Sequence, residues 1–201
     1  GTVKQVNPFS GTEVWTVPGR GNRPLSVPVA NPQPLQEEDF SHRCAFCSGR
    51  LTDTPPEKAR ILPSGGIVRG LPLQEYDHTV PAFRRIPNLF EIVSYDYWHA
   101  NYGFEMDAET RQRMENYLSD PVGREHVLKI VRTKRKAAHL PETSEEELVD
   151  QAAGFFAGGH DVIVAGRHFE RGAQDDSQLA SSGTLSAEEH LLFMQLTIDA
   201  M

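Results

Sequence analysis

Cys44-Ala45-Phe46-Cys47 is the stretch on which the reading of this chain turns. These are the only 2 cysteines among 201 residues. At this spacing both thiolates can face one tetrahedral metal ion, at Zn–S distances near ~2.3 Å. Ser48-Gly49-Arg50 follows, and Gly49 is expected to supply the turn that aims backbone amides at the sulfurs. Two cysteines so spaced do not make a disulfide framework. In a reducing compartment they point to a metal site or a redox pair. No thioredoxin-like βαβ pattern surrounds them, so a metal is expected, with two buried thiols as the plain alternative. A knuckle brings only part of a ligand set, and the rest must come from elsewhere in the chain.

Composition narrows the setting. The formal net charge of -8 argues against a surface that attracts nucleic acid or anionic lipid. No apolar run approaches the ~18 residues of a membrane span. A soluble, cytoplasmic protein of one domain is expected.

Outward from the knuckle, Thr12 to Val17 alternates β-branched and aromatic residues like a strand. Pro18 to Pro24 breaks it and carries Arg20 and Arg23. Two planar guanidinium groups in a Gly/Pro turn can grip an anion, although solvated loop charge is the simpler reading. Ile67-Val68-Arg69 reads as a short strand, and Leu89 to Tyr95 as a longer one. Residues 107–157 read as helical. Asp107 is placed to cap Ala108–Leu118, Pro121 suits a first turn, and Val122, Val127, Leu128, Ile130 and Val131 form a stripe. Ser144/Glu147 and Ser186/Glu189 have capping-box spacing. Arg132, Lys134, Arg135 and Lys136 close their helix, where the helix dipole favours them; phosphate binding is the sharper alternative. Gly158 to Val164 leads into Ala165-Gly166-Arg167-His168 as a glycine-led strand, and residues 170–185 as a loop. The last helix carries Leu191, Leu192, Met194, Leu196, Ile198 and Met201, and the sequence stops inside that apolar pattern, as an interrupted fold would. Trp15 and Trp98 carry no assignable chemistry.

Taken in order, the basic turn, the knuckle, Arg84-Arg85-Ile86-Pro87-Asn88-Leu89-Phe90 and Gly159-His160-Asp161-Val162-Ile163-Val164 with its following histidine resemble the galactose-1-phosphate uridylyltransferase family of the histidine-triad superfamily. The likeness is to the N-terminal half, in a divergent form found in actinobacteria. Residues 94–157 have no counterpart and read as a helical insertion. The resemblance implies an α+β fold, an antiparallel sheet with helices on one face, forming half of a histidine-triad-like pair.

The same resemblance implies the roles of particular residues. Cys44, Cys47 and His168 would be zinc ligands. Arg20 and Arg23 would lie near nucleotide phosphates, and Asn88, Leu89 and Phe90 would contact the nucleoside. The family's fourth ligand and its nucleophile come from a His-x-His motif, which none of the eight histidines here forms. Water, Glu170, His42 or another chain could fill the fourth place, and His160 could replace His168 if the register differs. Covalent nucleotidyl transfer requires that nucleophile, so the chain is expected to be the catalytically incomplete zinc-binding part of a nucleotidyltransferase acting on a nucleotide or nucleotide-sugar in galactose metabolism. The rival is a non-catalytic, zinc-stabilised scaffold acting through a homodimer or a protein partner.

Overall fold

A computed structural model describes residues 3–16, 29–89, 91 and 93–201. The fold is α+β. Its centre is a four-stranded antiparallel sheet of β3 (Ala59–Ile61), β4 (Ile67–Arg69), β5 (Phe83–Pro87) and β6 (Asp161–Ala165), in the order β4-β3-β5-β6. A separate hairpin pairs β1 (Val3–Val6) with β2 (Glu13–Thr16).

Side chains alternate across a strand, and that alternation gives the sheet two different faces. Ala59, Ile61 and Phe83 turn to one face, where Leu196 of α7 (Ala187–Asp199) packs among them. Arg60 and Arg84 turn to the other and are 0% and 1% exposed. Both are held by Glu57, itself 1% exposed. Arg60 Nε donates to Oε1 and Arg84 Nε to Oε2 of that carboxylate, each at 2.5 Å. Further guanidinium donors reach Tyr76 O, Thr79 O and Thr54 Oγ1 at 2.6–2.9 Å, while the buried Arg84 Nη1 has no hydrogen-bond partner among the described residues. Pairing with an opposite charge, backed by hydrogen bonds, is the form in which ions are tolerated inside a protein.

The second core lies in the helices α3 (Ala108–Ser119), α4 (Pro121–Ala137), α5 (Glu145–Asp150) and α6 (Ala153–Ala157). Val127, Leu128, Ile130 and Val131 of α4 bury against Leu148, Phe155 and Phe156. Val122, expected in the same stripe, is 55% exposed; the first turn of α4 packs through Gly123, which lies against Tyr117. Asp107, Asp120 and Ser144 cap three of these helices through their side chains. The Ser144/Glu147 pair is only half a capping box, since the Glu147 carboxylate takes the Thr143 hydroxyl instead. The Ser186/Glu189 box is complete, with bonds of 3.2 and 2.8 Å. Arg135, in the basic end of α4, donates to Pro141 O at 2.6 Å, a helix-end tie.

One expected strand moves. Leu89 to Tyr95 does not form a strand among its described residues; the strand ends at Pro87, and α2 (Tyr95–Tyr102) begins where the expected strand would end. Ser94 caps that helix by accepting from Tyr97 N–H, and Gly103 at φ 64° closes it in the left-handed conformation that glycine adopts without strain. The buried charge cluster makes a direct prediction. Glu57→Gln leaves two interior guanidinium groups without a counter-charge, and urea unfolding should show a loss of about 3–5 kcal/mol. A loss below about 1 kcal/mol would mean that the Glu57 charge does not hold the pair.

Candidate metal centre

The knuckle begins just after α1 (Asp39–His42) and runs into a 3₁₀ turn at Ser48–Asp53. Its geometry is set by the main chain. Cys47 N–H donates to Cys44 O at 3.1 Å, closing the turn. Cys44 N–H points at Cys47 Sγ (3.3 Å) and Phe46 N–H at Cys44 Sγ (3.4 Å). Gly49 has a different role from the expected one. A Cβ there would sit 2.4 Å from the His42 ring and 2.9 Å from Ser41 O, so the residue is small because the α1 end lies against it.

His168 follows β6 on the strap that leaves the sheet. Its Nδ1 lies 3.3 Å from Cys44 Sγ and 3.4 Å from Cys47 Sγ, and the sulfurs are 3.7 Å apart. A tetrahedral ion with Zn–S of ~2.3 Å and Zn–N of ~2.05 Å has edges of ~3.8 Å (S–S) and ~3.6 Å (S–N). The three donor atoms therefore stand at the corners of such a polyhedron, and Cys44, Cys47 and His168 lie close enough to hold one metal ion. Among the described residues no fourth histidine, cysteine or carboxylate joins the group. His42 instead turns its Nδ1 to Ser41 Oγ at 2.7 Å. His160 precedes β6, at the opposite end of the strand from His168. A cavity of about 360 Å³ opens beside the trio, lined by Phe46, Val164 and Leu179 among others.

Burial pushes the Cys47 thiol up from its ordinary value. Burial first, and the Arg43 charge second, push the His168 imidazole down. The histidine is thus held neutral and ready to ligate, whereas the thiol must release a proton to do so.

Protein contacts bring the two halves of the site together. Arg43, next to Cys44, pairs with Asp176 at 2.7 Å. Gln33 N–H donates to Asp176 Oδ1 at 2.9 Å, and Leu35 N–H to Gln174 O at 3.0 Å. Phe40 meets Phe169 edge-on at 5.7 Å. On the other side, Arg167 grips Glu189 bidentately at 2.9 and 3.0 Å and donates to Phe169 O at 2.8 Å. This clamp holds the Glu189 carboxyl down at about 2. Sequence reasoning placed Glu189 in a capping box but missed its pairing with Arg167, and missed Asp176, because these carboxylates lie far along the chain from the charges they serve.

The other expected site residues do not gather here. Asn88 and Leu89 stand at the opposite end of the β5–β6 pair from His168: Asn88 N–H donates to His160 O at 2.9 Å, and Leu89 packs on the helical core. Arg20, Arg23 and Phe90 lie outside the described residues. A family model described as Domain of unknown function (DUF4921) matches residues 1–201. The chain belongs to the DUF4921 family. No curated protein and no solved structure matches this DUF4921 chain.

Two predictions follow from these groups. Because Cys47 must lose a proton held above its usual range, metal affinity should climb as pH rises through neutrality and fall in acid. Chelator competition at several pH values reads this, and a flat profile would contradict it. Glu189, depressed to about 2, lends stability above its ordinary 4.5 that disappears as pH falls toward 2. The melting temperature of Glu189→Gln should therefore lie below that of the parent at pH 7, and the gap should close on acidification.

Proposed function

We propose that this chain is a zinc-binding domain of the uridylyltransferase-like kind, in which the metal ties the Cys44–Cys47 knuckle to the strap after β6. The observation that carries the reading is the Cys44, Cys47 and His168 trio at the edges of a tetrahedron. Two thiolates and one imidazole form a soft-to-borderline donor set that suits zinc better than hard oxygen-seeking cations. The order of elements supports the kinship as well: a knuckle, then a strand ending at Pro87 just before Asn88, then an antiparallel partner strand leading to a histidine.

On this reading the 201 residues correspond to the N-terminal half of the fold, with residues 94–157 as a helical insertion. Asn88, Leu89 and Phe90 would serve the nucleoside, and Arg20 and Arg23 its phosphates. The nucleophile would come from a His-x-His motif outside this sequence. A second reading, a non-catalytic scaffold, draws on α7. Leu191, Met194 and Ile198 fall on one side of that helix and are 57%, 56% and 66% exposed, a row that a partner protein would cover.

Elemental analysis of the purified chain should find about one zinc per molecule, lost in Cys44→Ser and His168→Ala. Incubation with a nucleotide-sugar should leave the intact mass unchanged. Absence of zinc in the parent would overturn the metal centre, and a nucleotidylated mass would overturn the missing nucleophile. A rise in melting temperature with uridine nucleotides would favour the nucleotide reading over the scaffold.

A further inference from the structure

Between α3 and the segment that follows β4 lies a cavity of about 470 Å³. Its walls include Gln74, Glu109, Gln112, Arg113, Asn116 and Tyr117. This volume falls within the range of small-ligand sites. Three amides and two opposite charges around one opening supply donors, acceptors and both signs of charge.

Arg113 is the unusual member. Its Nη2 donates to Glu57 O at 2.7 Å. The guanidinium stands 5.5 Å over the Phe156 ring, and the stem passes Gly70, where a Cβ would sit 3.4 Å from Cδ. Protein contacts thus hold the group in place. Among the described residues, however, Arg113 makes that main-chain hydrogen bond and no ion pair. The neighbouring carboxylates are committed elsewhere: Glu57 serves Arg60 and Arg84, and Asp161 serves Lys58 and Arg85. Burial pushes the Arg113 guanidinium down from its ordinary value, as it does for a charge drawn out of water without a counter-ion.

Glu109 sharpens the contrast. It stands four residues before Arg113 on α3, the spacing at which opposite charges on a helix pair. These two do not pair, and both line the cavity. The amides beside them are half committed. Gln112 Nε2 donates to Asn116 Oδ1 at 3.0 Å, and Gln74 Nε2 donates to Asp120 Oδ2 at 2.6 Å. Each such bond occupies one end of a side-chain amide and leaves the other end for a ligand.

We propose that this cavity binds a free amino acid, with its carboxylate on Arg113 and its ammonium on Glu109. A zwitterion carries one charge of each sign on adjacent groups, and the helix presents one partner for each, a turn apart. A guanidinium holds a carboxylate through two parallel N–H donors. The amide ends of Gln74, Gln112 and Asn116 favour a ligand side chain that both donates and accepts, as an amide or a hydroxyl does. A bare dianion such as phosphate suits the site less well, because Glu109 and Asp120, which also lines the cavity, would repel it. A bare cation meets the same objection from Arg113. The inference goes beyond the zinc reading. The cavity shares no residue with the metal trio, and its residues lie outside the segments that carry the uridylyltransferase likeness.

Isothermal titration calorimetry of the full chain with glutamine, asparagine, serine and threonine tests this. At least one of them should give saturable heat. The N-acetyl and carboxamide forms of that amino acid each lack one charge and should bind about tenfold more weakly or worse. Glu109→Gln, a change at an exposed position, should weaken the amino acid by about tenfold while the melting temperature holds. The N-acetyl form should not distinguish that variant from the parent, because its contact with Glu109 is already gone. Arg113→Lys should weaken binding as well, and Glu109→Gln keeps the test decisive if Arg113→Lys does not fold. Several results would overturn the proposal: no saturable heat from any of the four, equal binding of the free and N-acetyl forms, parent-like binding by Glu109→Gln, or saturation by acetate or phosphate at the same affinity, which would mark a plain anion site. Zinc content read on the same sample separates the two claims, because a zinc-replete chain that ignores amino acids overturns the cavity and leaves the metal centre standing.

Discussion

Everything in the sheet depends on one carboxylate. Glu57 faces two guanidinium groups from adjacent strands, β3 and β5, with all three side chains out of water. A carboxylate between two arginines leaves an excess positive charge inside, and hydrogen bonds to Thr54, Tyr76 and Thr79 spread it over carbonyl and hydroxyl oxygens. The same segment is fastened from the helical side. Arg113 of α3 donates to Glu57 O at 2.7 Å, and His126 of α4 lies 2.8 Å from Thr54 O. The strand pair therefore cannot slip without exposing charge, and that fixed register carries β6 and its following histidine to the knuckle.

Beside this polar lock, the β6 end of the sheet is held by a second charged group. Lys58 donates to Gly158 O at 2.5 Å and pairs with Asp161 at 2.7 Å, while Arg85 reaches the same Asp161 at 3.1 Å. Burial pushes the Lys58 ammonium down while Asp161 pulls it up. These ties set where β6 starts, so both of its ends are specified: one by Asp161, the other by the Arg167–Glu189 clamp. A metal ion held by the trio would close a site whose ligand-bearing segments these contacts already tie together.

Much of this was legible in the sequence, and the reasons are local. The knuckle announced itself by spacing, the helices by period and by Asp107, Ser186 and Glu189 at their caps. His168 was found through its resemblance, since spacing alone does not relate residues so far apart. The strand β5 was missed because Phe83-Arg84-Arg85-Ile86-Pro87 carries two charges and a proline, and only Glu57, 27 residues away, makes Arg84 an interior residue. Ala59-Arg60-Ile61 hides for the same reason. The apolar run after Pro87 looked more like a strand than the true one. The bracket of Ser94 and Gly103 was the signal for α2, masked by the β-branched residues just before it. The cavity beside Arg113 had no signal at all, because it joins the segment before β5 to a helix beyond it.

The separation of the metal ligands has a consequence for how the protein is made. The sulfurs and the imidazole nitrogen are 124 and 121 residues apart along the chain. On the ribosome the knuckle emerges long before its histidine. During that interval it can offer an ion only two thiolates, a grip that exchange with cellular thiols will break. Long-range closure is also the slow part of folding. A metal ion held by all three ligands could therefore enter only after His168 has emerged, so that full loading of the site would report a finished β6 and its strap, not the knuckle alone.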